Sequence, residues 1–187
     1  PQIRRYTEWL ATHRGLFFDD YPALWRWSVT DLEAFWGSID AYFSLNMLPE
    51  GGRVLAANTM PGTRWFAGGR ANYARQVFRH VQPAQAAGLP ALIARNEKGR
   101  ATEIGWPELQ RRVAALALHL RAQGVQRGDR VAAYLPNIPE TAIAFLAVVS
   151  IGAVWSVCAP DMGTNAVLDR FRQIEPVALI ACDGVTY

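Results

Sequence analysis

From Gly128 onward the apolar positions fall into short runs separated by longer amphipathic stretches, a strand–helix rhythm repeated to the end of the sequence. Gly128–Asn137 holds the apolar run Val131–Leu135 and closes on Pro136-Asn137, which reads as a strand followed by a turn. Pro139 then suits the first position of a helix, where its fixed φ helps and its missing N–H is not needed. Val154–Cys158 reads as a second strand, Asn165–Ile174 as a polar helix, and Val177–Cys182 as a third strand. Helical connections of this length return the chain to the same end of a sheet, so neighbouring strands run parallel. The expected fold class is therefore α/β, a mostly parallel sheet with helices on its faces. Ligands of such sheets sit beyond the carboxyl ends of the strands.

Upstream the pattern changes. Leu109, Val113, Leu116, Ala117 and Leu120 form one apolar stripe at helical spacing behind Pro107, and Gly124 ends that helix. Ala91–Asn96 and Arg100–Ile104 flank Glu97-Lys98-Gly99 as a hairpin. Pro83–Pro90 is a short Ala/Gly/Pro linker. Before it the chain is helical and aromatic, with Tyr6, Trp9 and Leu10 on one face of a helix over Arg4–His13. Thr30-Asp31-Leu32-Glu33 has the form of a capping box, Thr30 at the cap and Glu33 reaching back. The helix it opens is expected to run to Phe43, with Leu32, Phe35, Trp36, Ile39 and Phe43 on one face. Pro49-Glu50-Gly51-Gly52 breaks the chain, Met60–Gly69 forms an aromatic-bearing loop, and a helix is expected over Arg70–Val81. The expected division is a helical extension over 1–83 and the first part of an α/β domain over 84–187. Trp9, Trp25, Trp27, Trp36 and Trp65 read as packing of that extension against a neighbouring domain.

Composition narrows the functions. A chain that is 51% hydrophobic and 19% charged should bury a substantial core. The net charge of +3 comes from scattered arginines, with Lys98 the only lysine, so no basic face is offered to nucleic acid. Cys158 and Cys182 lie in apolar runs without Cys-x-x-Cys spacing and read as buried free thiols, consistent with a cytoplasmic protein. His13, His80 and His119 show no ligand spacing, so no metal site is expected. Pro1–Leu10 is polar and amphipathic, unlike a signal peptide. Thr141–Pro160 carries no charge and is long enough to span a bilayer, but Gly152 and the strand-like Val154–Val157 divide it into a buried helix and a buried strand. No membrane span is expected. There is no Gly-x-Ser-x-Gly elbow and no glycine loop ending in Lys-Ser/Thr. No residue is assigned a catalytic role.

Longer strings add a resemblance. Met60-Pro61-Gly62-Thr63-Arg64-Trp65-Phe66 with Asn72-Tyr73-Ala74 resembles the amino-terminal extension of the short-chain acyl-CoA synthetases. Gly128-Asp129-Arg130-Val131-Ala132, Pro136-Asn137-x-Pro139-Glu140 and Gly152-Ala153-Val154-Trp155-Ser156 are similar to the opening of the adenylate-forming, AMP-binding domain. Cys158-x-Pro160-Asp161-x-Gly163 and Val167-Leu168-Asp169-Arg170-Phe171 resemble the acetoacetyl-CoA synthetase branch of that family.

The resemblance implies a two-step ligase. A carboxylate would react with ATP, with Mg²⁺ assistance, to give an acyl-adenylate and pyrophosphate. The thiol of CoA would then displace AMP. The family's phosphate loop, ribose-binding Asp, metal partner and late catalytic Lys match nothing in residues 1–187. The segment is thus expected to be the amino-terminal part of such an enzyme, inactive alone. Its partners would be the remainder of the synthetase chain and a small carboxylate. One site is implied, a CoA-side loop made of Cys158, Ala159, Pro160, Asp161, Met162 and Gly163. The same residues also read as a strand-to-helix turn without a ligand. Departures from the family pattern are Arg75-Gln76 in place of Glu-Asn, and Ala159 and Met162 in place of Ser and Phe. Two alternatives stay open: an acetyl- or propionyl-CoA synthetase segment, and a non-catalytic binding module.

Overall fold

The computed structural model describes residues 1–49 and 51–184, and the chain divides into two compact units, Pro1–Ala71 and Asn72–Tyr187. The first contains helices α1 (Gln2–Arg14), α2 (Tyr21–Thr30) and α3 (Leu32–Tyr42), then the short antiparallel strands β1 (Leu55–Ala57) and β2 (Arg64–Trp65). Helix α2 has no counterpart among the elements read from the sequence, although Asp20-Tyr21-Pro22 signals its start. Asp20 accepts a hydrogen bond from the Ala23 amide at 2.8 Å, and Pro22 sits in the first turn.

The cap of α3 differs from expectation. Thr30 is the last residue of α2, and its hydroxyl donates to the Arg26 carbonyl at 2.8 Å. Asp31 is the single residue between the two helices; its carboxylate accepts from the Ala34 amide at 3.1 Å. Glu33 does not reach back. It pairs with Arg53 at 3.0 Å, and that hydrogen-bonded contact holds its carboxyl below the usual range. The chain spends Thr30 on finishing one helix, so only Asp31 is placed to begin the next.

Tyr6, Leu10 and Leu24 form the centre of this unit, with Trp9, Trp27, Phe35, Ile39 and Tyr42 packed around them. Two members of the expected α3 face, Phe35 and Ile39, join this core, whereas Trp36 and Phe43 are exposed. The buried hydroxyl of Ser38 donates to the Phe35 carbonyl at 2.7 Å and lies 2.5 Å from the Tyr6 hydroxyl. One hydroxyl has one hydrogen, so Ser38 accepts from Tyr6. Burial pushes the Tyr6 phenol up, and the bond to Ser38 works against that shift.

The second unit begins at Asn72, with α4 (Tyr73–Phe78) and α5 (Val81–Ala86) where one helix to Val81 and a linker were expected. The chain breaks between the two helices in a tight turn, with the His80 amide donating to the Val77 carbonyl at 3.2 Å, and Pro83 sits within the first turn of α5. The hairpin forms as read: β3 (Leu92–Arg95) pairs antiparallel with β4 (Ala101–Ile104), from Leu92↔Ile104 to Arg95↔Ala101. Helix α6 (Trp106–Ala122) buries Leu109, Val113 and Leu120. Strands β5 (Arg130–Tyr134), β6 (Val154–Cys158) and β7 (Ala178–Ala181) then form a parallel sheet in the order β6-β5-β7, linked by α7 (Pro139–Ser150) and α8 (Thr164–Ile174). The uncharged stretch Thr141–Pro160 becomes most of α7, all of β6 and the turn after it. Among the described residues no helix is long and apolar enough to cross a membrane. Both cysteines are free thiols, Cys158 buried and Cys182 half-buried.

One sheet face packs Val131, Trp155, Ala178 and Ile180 against Leu120 and Val148 of α6 and α7. The two helices are tied at their exposed edge by Arg112 and Glu140, 2.8 Å apart. The hydrogen bond from Arg112 is the largest reason why the Glu140 carboxyl lies below its usual range.

Two predictions test these local accounts. Asp31→Ala should lower stability by about 1 kcal/mol, the ordinary worth of an N-cap, while Thr30→Ala should change it little. Urea unfolding midpoints compare them, and a larger loss from Thr30→Ala would restore the capping box. The second concerns pH. Glu140 titrates lower folded than unfolded, so its pair with Arg112 stabilises above the unfolded value of about 4.3, and that gain disappears as pH falls through the folded value. The advantage of the parent over Glu140→Gln should therefore be small, because the pair is solvent-screened, and should close on acidification. An advantage that grows below pH 4 would contradict this pairing.

Candidate functional site

The carboxyl ends of the three parallel strands are Tyr134, Cys158 and Ala181. Side chains alternate along a strand, so Arg130, Ala132 and Tyr134 of β5 share the face opposite Val131 and Ala133. This second face carries α8. At the amino end of β5, Arg130 donates to the last carbonyls of α8, from Nε to Ile174 at 2.7 Å and from Nη2 to Glu175 at 2.9 Å. A cation there also meets the negative end of the helix dipole. At the carboxyl end, the Tyr134 hydroxyl lies 2.7 Å from the Pro160 carbonyl and 3.1 Å from the Met162 carbonyl. Strand β5 therefore holds both the end of α8 and the segment that leads into it.

That segment is the sequence-derived site, and its six residues form one structure. Cys158 ends β6 opposite Tyr134, with its side chain buried and its carbonyl accepting from the Leu135 amide at 3.2 Å. The Met162 amide donates to the Ala159 carbonyl at 3.1 Å, which closes a four-residue turn. Pro160 occupies the second position of the turn, where its fixed φ is favoured. Gly163 follows as the cap residue of α8, with extended backbone at φ −62° and ψ 149°.

Two consequences follow from the turn. A planar peptide holds N–H and C=O on opposite sides. Because Tyr134 draws the Pro160 and Met162 carbonyls inward, the Asp161 and Gly163 amides point away from it. Neither amide has an acceptor among the described residues. Gly163 is also not required by local sterics: its φ is negative, and an added Cβ would meet nothing within 4 Å. The glycine leaves bare backbone facing open space.

The turn thus presents main-chain donors to open space, with Asp161 the one charged side chain among its six residues. Among the described residues no group of three or more His, Cys, Asp or Glu side chains is gathered to hold a metal.

Tyr134 is the residue that motif reading missed. A signal existed, since a tyrosine at the end of an apolar strand places a hydroxyl where it needs a partner. On the opposite face, a cleft of about 490 Å³ lies between α6, α7 and the end of β7, with Leu116, Leu135, Ile180 and Cys182 in its lining. The Arg112–Glu140 pair lines it too. None of the six site residues lines this cleft.

A profile described as AMP-binding enzyme matches residues 79–186, and one described as acetyl-coenzyme A synthetase N-terminus matches residues 21–77. The acetoacetyl-coenzyme A synthetase of Rhizobium meliloti (strain 1021) is 39% identical over 187 residues, covering 99% of this chain and 28% of that protein. The malonamoyl-CoA synthetase vrtB of Penicillium aethiopicum is 35% identical, covering 92% of this chain and 24% of its own length. Among solved structures, acetoacetyl-CoA synthetase from Streptomyces lividans superposes with a TM-score of 0.91 at 43% identity, over 100% of this chain and 29% of that one. The chain thus spans between a quarter and a third of the length of these relatives, apart from the fungal protein at 24%.

Proposed function

The chain belongs to the AMP-binding enzyme family, and from that premise we propose that it is the amino-terminal part of an ATP-dependent acid–CoA ligase acting on acetoacetate. In that reaction a carboxylate oxygen attacks the α-phosphorus of ATP, pyrophosphate leaves, and an acyl-adenylate forms. The thiolate of CoA then attacks the acyl carbon, the C–O bond to AMP breaks, and a thioester is released. Such chemistry needs preorganised donors and Mg²⁺ around the developing phosphate charge. In this reading those groups belong to the remainder of the synthetase, and residues 1–187 supply scaffold and the CoA side. The extension over 1–83 and the α/β portion over 84–187 are its two parts. The enzyme works in the cytoplasm, and the segment alone has no activity.

The observation that supports this best is the agreement of the whole chain, in sequence and in backbone, with the Streptomyces lividans acetoacetyl-CoA synthetase. The turn Cys158–Gly163 supports the assignment of the CoA side, because it offers outward main-chain amides at the carboxyl edge of the parallel sheet. A ligase for another short acid is the second reading. It is favoured by the malonamoyl-CoA synthetase relative, whose identity to this chain is close to that of the acetoacetyl type.

Acid-dependent exchange of pyrophosphate into ATP, followed by CoA thioester formation, tests the proposal on the full-length protein. Acetoacetate should support both steps with a higher kcat/KM than acetate, propionate or malonamate. Residues 1–187 alone should support neither. Preference for another acid would move the assignment to the second reading, and exchange by the isolated segment would overturn the division of roles.

A further inference from the structure

We infer that Tyr134 is a positioning residue for the CoA step: its hydroxyl sets the orientation of the two peptide units that present the Cys158–Gly163 turn to the ligand. The inference rests on the reading of that turn as the CoA side. It adds a residue outside the turn, 24 positions before Cys158 in the chain and opposite it in the sheet register.

The turn has one internal backbone bond, from Met162 to Ala159, one sheet bond at its root, from Leu135 to Cys158, and one helix bond at its end, from Val167 to the Gly163 carbonyl. None of the three engages the Pro160 or Met162 carbonyl, so none fixes the peptide units 160–161 and 162–163. Each is free to rotate about its flanking bonds, which would turn the Asp161 or Gly163 amide inward. The Tyr134 hydroxyl has a single hydrogen, placed between the Pro160 and Met162 carbonyls at 2.7 and 3.1 Å, and so constrains both units together. The ring comes from β5, which is paired on both edges, so the hydroxyl is held by the sheet rather than by the loop. Arg130 acts on the far end of α8 through Ile174 and Glu175. It anchors the helix without touching the turn.

The test is Tyr134→Phe in the full-length protein, a change that keeps the ring and removes only the hydroxyl. Acid-dependent pyrophosphate exchange should stay within about twofold of the parent, since only the turn is altered. The KM for CoA should rise about three- to tenfold, the worth of one or two hydrogen bonds, with kcat less affected. Hydrogen exchange of the Met162 amide should quicken by a similar factor as the turn loosens. Parallel losses in exchange chemistry and thioester formation would reduce Tyr134 to a structural residue and overturn the inference. Unchanged CoA kinetics together with an unchanged Met162 amide would also overturn it. A parent enzyme that forms no thioester would instead remove the functional reading, and the Met162 amide would still decide whether Tyr134 holds the turn.

Discussion

Strand β5 is paired on both edges, with β6 on one side and β7 on the other, and the second unit is organised around that fact. Its middle residues Val131, Ala132 and Ala133 are completely buried, so both faces of the strand are covered. A strand fixed in this way can place its two terminal side chains accurately. Arg130 and Tyr134 lie on one face, four residues apart, and reach opposite ends of the same crossover helix. None of the side chains of α8 is fully buried, although Val167, Phe171 and Ile174 are half-buried at helical spacing. Polar bonds from a rigid strand to backbone carbonyls add to that apolar face.

The strings that carried the family resemblance have largely structural duties. Gly128 has a φ of 88°, a conformation that favours glycine, and the Asp129 carboxylate accepts from the Gln126 amide at 2.8 Å to steady the turn into β5. Arg130 completes the string by anchoring α8. Asn72 works at two helix ends at once. It caps α4 by accepting from the Arg75 amide at 3.1 Å, and it donates to the Val149 and Ser150 carbonyls at the end of α7. Ala74 beside it is buried among Leu109, Val113 and Ile143. These residues identify a family because they build its scaffold.

That explains what the sequence made legible. The parallel sheet, the hairpin and α6 follow from hydrophobic period and from glycine and proline positions, which act locally, and each stands where it was read. The errors lie where two local signals compete for one residue. Thr30 and Asp31 both suit a cap, and only the presence of α2 decides between them. Asp20-Tyr21-Pro22 announced that helix, but its apolar residues alternate poorly with polar ones, and the period alone did not reveal it. The helix expected to reach Val81 ends at Phe78 in a His80–Val77 turn that hydrophobic spacing does not announce. Tyr134 could be recognised as needing a partner, yet which carbonyls it meets depends on β6 lying beside β5 in one register.

The site has the same character. The role proposed for it resides in peptide orientation, which side-chain identity reports only indirectly. Ala159 and Met162 depart from the family pattern, but the turn uses the carbonyl of the first and the amide and carbonyl of the second. Any residue other than proline supplies those groups at position 162. Substitution at these two positions therefore changes what flanks the turn and leaves the directions of the outward amides intact. Pro160 and the Tyr134 hydroxyl are different, because one fixes a backbone angle and the other fixes where two carbonyls point. The constraint on this loop thus falls on residues that shape the main chain, one of them in another strand, and a motif confined to residues 158–163 describes only part of it.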